Sequence, residues 1–134
     1  MGKYVEVRTM TEHECMDIST RLRENLVKLE RILPCIDKGD TVRFESYRLM
    51  KEIVHIIDTY GKGMQTPLKL GIIADRIRGP VSVLCSLLEP FPICKVNQDA
   101  YEIVMAVNSI IEKDILHEDT EPTLNMEAEQ RAWD

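Results

Sequence analysis

The chain has 134 residues, of which 44% are hydrophobic, 30% charged and only 5% aromatic, with a formal net charge of -6. That length suits one domain around one core, and a core set of Leu, Ile, Val and seven Met with few aromatics favours helix-on-helix packing over a sheet. No apolar run approaches the ~20 residues that cross a bilayer and no apolar signal core follows the first residues, so the reading excludes a membrane-spanning or exported chain and expects a cytoplasmic one.

The first element is a short strand. Lys3-Tyr-Val-Glu-Val-Arg-Thr9 alternates with period two, placing Val5 and Val7 on one face against Glu6 and Arg8 on the other. A lone strand leaves its amides and carbonyls unpaired, so it needs a partner. Ile93-Cys-Lys-Val96 is the candidate within the chain, and a second copy of the strand is the other.

A helix follows from Thr11-Glu-His-Glu14, a capping box. Cys15, Ile18, Leu22, Leu26, Leu29 and Leu33 recur at three- and four-residue steps until Pro34 stops it. Asn25 is expected at the wet edge of that stripe, the other reading being a buried register-setter. His13 and Asp17 lie four apart but lack a third ligand, so no metal site is expected.

Asp40 or Thr41 is expected to cap a second helix, with Val42, Leu49, Met50, Ile53, Ile57 and Tyr60 on one side and Gly61 as its stop. The wide apolar run Ile53-Val-His-Ile-Ile57 makes this helix the expected central element, with His55 a core or boundary histidine. Thr66 and Pro67 mark the third helix start. Gly79-Pro80 should break or kink it, giving a helix, a bend and a second apolar piece through Val81, Leu84, Leu87 and Leu88. A last helix is expected from Asn97, with Tyr101, Val104, Val107, Ile111 and Ile115 on its stripe, fading at His117.

The expected architecture is therefore all-α or mainly α: a compact bundle of four to five helices over residues 1–117, a short N-terminal strand, and an acidic, solvated tail over 118–134. The tail carries Glu118, Asp119, Glu121, Glu127, Glu129 and Asp134 against Arg131, a net of -5 that leaves only -1 for the rest. Leu124, Ala128 and Ala132 fall at helical spacing near Met126 and Trp133, a pattern suited to docking on a partner or folding back.

Chemistry-bearing patterns are sparse. Cys15, Cys35, Cys85 and Cys94 form no C-x-x-C pair and meet no histidine at finger spacing, so they read as reduced thiols. No nucleophile elbow, phosphate loop, zincin or dinucleotide motif occurs, so no cofactor, metal or catalytic residue is expected.

Residues 70–89 can be laid on a DNA-binding helix-turn-helix, with Ile73, Ala74 and Ile77 before Gly79 and Leu84 and Leu87 after it. Its nucleic-acid contacts would be Lys69, Arg76, Arg78, Ser82 and Ser86. The second helix offers no cation or amide to base edges, and the chain is acidic, so nucleic acid is the second reading.

Asp75-Arg-Ile-Arg-Gly-Pro-Val-Ser-Val-Leu84 also resembles the phosphoacceptor-helix region of sensor histidine kinase dimerisation domains. That family has a histidine where Asp75 stands and an acid where Arg76 stands, so the resemblance implies at most a non-catalytic, dimerising hairpin. The leading expectation is a non-enzymatic protein-interaction or regulatory module, an adaptor or inhibitor acting as a homodimer. Val5, Val7, Leu124, Met126 and Trp133 are its expected partner contacts.

Overall fold

The structure is a computed structural model and describes residues 10–116. The expected strand with Val5 and Val7, and the acidic tail with Leu124, Met126 and Trp133, lie outside the described residues. Within them the chain forms four α-helices: α1 (Glu12–Ile32), α2 (Asp40–Tyr60), α3 (Pro67–Leu87) and α4 (Lys95–Ser109), the last continued by a π-helical segment (Ile110–Ile115). No strand occurs among these residues. Cys94 is the N-cap of α4, so Lys95 and Val96, expected to pair as a strand, are helical.

α1 begins as its sequence indicates. Thr11 Oγ1 accepts from the Glu14 amide at 3.1 Å and Glu14 Oε1 accepts from the Thr11 amide at 2.9 Å. Its stripe from Cys15 to Leu29 is buried, and Pro34, lacking an amide hydrogen, turns the chain into a 3₁₀ turn (Leu33–Cys35). Asn25 stays at the stripe edge, where Nδ2 donates to the Arg21 carbonyl at 2.9 Å.

α2 departs from expectation at its start and in its role. Neither Asp40 nor Thr41 caps it: Gly39 does so by backbone alone, at φ +87°, a region favouring glycine. Asp40 instead pairs with Arg43 in the first turn, where a carboxylate also complements the helix dipole. Ser46, Leu49, Met50, Ile53 and Ile57 are buried, but His55 is exposed and Val54 and Ile56 only half-buried. The broad apolar run therefore wraps the edge of one face, and α2 is not the central helix.

That place belongs to α3, which buries seven residues against five in α2 and packs on all three other helices. Thr66 caps it, accepting the Lys69 amide at 3.1 Å, with Pro67 in the first turn. The expected break at Gly79-Pro80 does not occur, and the helix runs through to Leu87. Two physical reasons account for this. The residue before a proline is pushed out of the helical region by clashes of the proline ring with its backbone N–H and its Cβ, and Gly79 lacks the Cβ. Proline costs ~3 kcal/mol in a helix interior, whereas burying Ile77, Val81 and Leu84, each at most 0% exposed, returns roughly 1.5–3 kcal/mol apiece. Tertiary burial outweighs the local breaker.

Paired residues fix the topology. The short connector over 33–39 turns α2 back along α1, and Asn97 at the start of α4 bonds Asp37 just past α1 while Asp114, beyond the end of α4, meets Arg21 in the first half of α1, so α1 runs antiparallel to both α2 and α4. With α2 and α3 joined by a short connector, the bundle runs up, down, up, down. In the π-helical segment the Leu116 amide reaches back to the Ile111 carbonyl at 2.9 Å, and the wider turn buries Ile110, Ile111 and Ile115 together. Arg21 clamps this segment to α1, bonding Asp17 and Asp114 at 3.1 Å each. Burial disfavours its charge, but the hydrogen bonds to Asp114 and Asp17 outweigh that and hold the guanidinium above its ordinary pKa.

Candidate interaction surface

The connector between α3 and α4 combines a backbone tied by side chains from two other segments with two highly exposed apolar side chains. Lys38 Nζ donates to the Glu89 and Phe91 carbonyls, both at 2.6 Å. From the other side, Asn97 Nδ2 donates to the Pro92 carbonyl at 2.7 Å, and the Phe91 amide reaches the Glu89 carbonyl at 2.7 Å. Asn97 is itself fully buried and also holds Asp37, through its amide at 2.7 Å and its carbonyl at 3.1 Å. The backbone is thereby held while Phe91 and Ile93 remain 68% and 73% exposed. Phe44, in the first turns of α2, is 71% exposed.

Two grooves flank α1. One, about 210 Å³, separates α1 from α2 and is lined by Leu26, Val27, Val54 and Ile57 with Arg23 and Glu30 at its rim. The other, about 470 Å³, runs between α1 and α4 past Asn25, Lys28, Ile32, Asp99, Ile103 and Ala106. Among the described residues, no group of three or more His, Cys, Asp and Glu side chains could hold a metal ion, and no helix is long and apolar enough to cross a membrane. Asp17, half of the His13 and Asp17 pair, bonds Arg21.

The residues expected to meet nucleic acid do not converge. At 100° per residue, Lys69 and Arg76 share one face of α3, while Arg78, Ser82 and Ser86 share another about a third of a turn away. Lys69 Nζ bonds the Lys62 carbonyl, and Arg76 lies over the Tyr60 ring, 4.5 Å from its centroid. With α3 unbroken, residues 70–89 contain no turn between two helices, so the helix-turn-helix geometry is absent.

No disulfide joins Cys15, Cys35, Cys85 and Cys94. Burial, followed by the charge of Glu112, pushes the Cys85 thiol above its ordinary pKa, which makes it a poor nucleophile.

Sequence reasoning missed Phe91, Ile93 and Asn97. A phenylalanine between two prolines and an isoleucine just beyond them, in a connector that should be polar, were the available signal. Comparison with known proteins finds no family model, no curated protein and no solved structure that matches the chain.

Proposed function

We propose that the protein is a non-enzymatic interaction module that acts through protein contacts and self-associates as a homodimer. The observation that carries this reading is the connector at 88–94, where two large apolar side chains stand in water on a backbone tied from both sides. A free loop loses entropy when it is ordered on binding, whereas a tied loop has already lost it, so its apolar anchors contribute more of their burial to affinity. Exposed single apolar residues are ordinary on protein surfaces; two on an immobilised loop are the features of a contact anchor.

Sedimentation velocity of the full chain tests this. Wild type should sediment as a dimer at tens of micromolar, and Phe91→Ala with Ile93→Ala as a monomer with an unchanged circular dichroism spectrum. A wild type that stays monomeric removes the self-association, and a double variant that remains dimeric removes the loop from the interface.

A further inference from the structure

α3 packs on all three other helices and still leaves one side uncovered. Leu68, Ile72, Asp75, Gly79, Ser82 and Ser86 recur at alternating steps of four and three residues, so they share the side opposite the buried row through Ala74, Ile77 and Leu84. Ile72 is half-buried and the other five are exposed. Asp75 is the one charge among them. The outward sides of α1 and α2 differ, with Arg23, Glu24, Lys28 and Arg31 exposed on the first and Arg48, Lys51 and Glu52 on the second. A helix that faces water carries charge on its outward side, and depletion of charge marks the core of an interface.

We infer that this side of α3 packs antiparallel on α3 of a second copy, across a two-fold axis level with Ile77. The inference rests on the self-association proposed above and assigns its geometry. Side-chain size along the row selects the occupant. Leu68 and Ile72 are large, whereas Gly79, Ser82 and Ser86 present little beyond backbone. A reversed copy sets Leu68 against Ser86 and Ile72 against Ser82, large over small at both ends, and each contact recurs by symmetry. A parallel copy would stack Leu68 on Leu68 and leave a gap from Gly79 to Ser86, which close packing does not tolerate. Reversal also sets each Asp75 level with the other copy's Gly79 instead of with the other Asp75.

The two ends of the helix fit the same arrangement. Met64 and Leu68, at the start of α3, are 65% and 70% exposed, and the connector with the exposed Phe91 and Ile93 follows its end. Antiparallel pairing brings the Phe91 end of one copy to the Met64 end of the other, so the interface is continuous with the connector anchors. Covering Met64, Leu68, Val83, Phe91 and Ile93 removes roughly 60–120 Å² of apolar surface apiece. Backbone and serines along a helix about 30 Å long add to that, which brings each copy towards the ~800 Å² of a standard interface.

A dilution series of the full chain in sedimentation velocity tests this through charge placed on the exposed row. Leu68→Lys, Ser86→Glu and, independently, Ser82→Glu should each weaken the dimer about tenfold while leaving the circular dichroism spectrum unchanged, because each sets an unpaired charge into the contact twice. Leu68→Lys combined with Ser86→Glu creates two opposite-charge pairs between copies only if the helices are antiparallel. That double variant should dimerise about tenfold more tightly than either single one. A double variant no tighter than the singles would overturn the antiparallel pairing. Single variants that dimerise like wild type, where Phe91→Ala with Ile93→Ala does not, would take α3 out of the interface and leave self-association through the connector standing. A monomeric wild type would overturn both.

Discussion

Asn97 and Asp37, sixty positions apart, exchange two hydrogen bonds: Asn97 Oδ1 accepts the Asp37 amide at 2.7 Å, and Asn97 Nδ2 donates to the Asp37 carbonyl at 3.1 Å. A single carboxamide thus does for the loop before α2 what a neighbouring strand does for a sheet edge. With its further bond to the Pro92 carbonyl, it ties both connectors at one end of the bundle.

Asn97→Ala should therefore destabilise the fold by about 2–3 kcal/mol, because partly buried backbone groups lose their partners. Asn97→Asp should cost at least as much at neutral pH, since a carboxylate cannot donate to the two carbonyls. Urea unfolding measures both, and a loss below about 0.5 kcal/mol for Asn97→Ala would contradict the role given to this residue.

Gly79 and Pro80 should be energetically coupled. A Cβ at Gly79 meets nothing within 4 Å beyond its chain neighbours, so only the proline penalises it. Gly79→Ala alone should be neutral or destabilising, whereas the same change in a Pro80→Ala background should stabilise by about 1 kcal/mol. A double-mutant cycle by thermal unfolding gives the interaction energy, and additive effects would rule out the proposed steric relief.

Ser46 is fully buried on α2, and its Oγ has no hydrogen-bond partner among the described residues. Removing an unsatisfied hydroxyl should offset the small void it leaves, so Ser46→Ala should be stabilising by up to about 1 kcal/mol. A lowered melting temperature would mean that the hydroxyl is satisfied in solution.

Thiol reactivity should follow exposure and charge. Cys35 is exposed, whereas Cys85 is half-buried with its thiol held protonated by burial and by Glu112. Iodoacetamide on the native protein at pH 8 should label Cys35 well before Cys85, with peptide mass spectrometry as the readout. Because the folded state raises the Cys85 pKa, that group's contribution to stability is full below the ordinary thiol range and falls as pH rises through it. Glu112→Gln should speed Cys85 labelling.

The sequence by itself determined the helices and most of the inward faces. The α1 capping box, the Thr66-Pro67 start and the stripes through Leu22, Ile53 and Val104 depend on contacts within a few residues, and a 3.6-residue period declares them. Only the tertiary structure decided which helix is central, that Pro80 is carried inside a continuous α3, and that α4 starts at Lys95 behind the Cys94 cap, so that Asn97 bridges to Asp37. Those outcomes are sums over neighbours distant in sequence, where burial of several side chains outweighs one local preference. The same holds for the surface: the loop that carries Phe91 and Ile93 is tied because separate segments meet, and no spacing along the chain encodes that meeting.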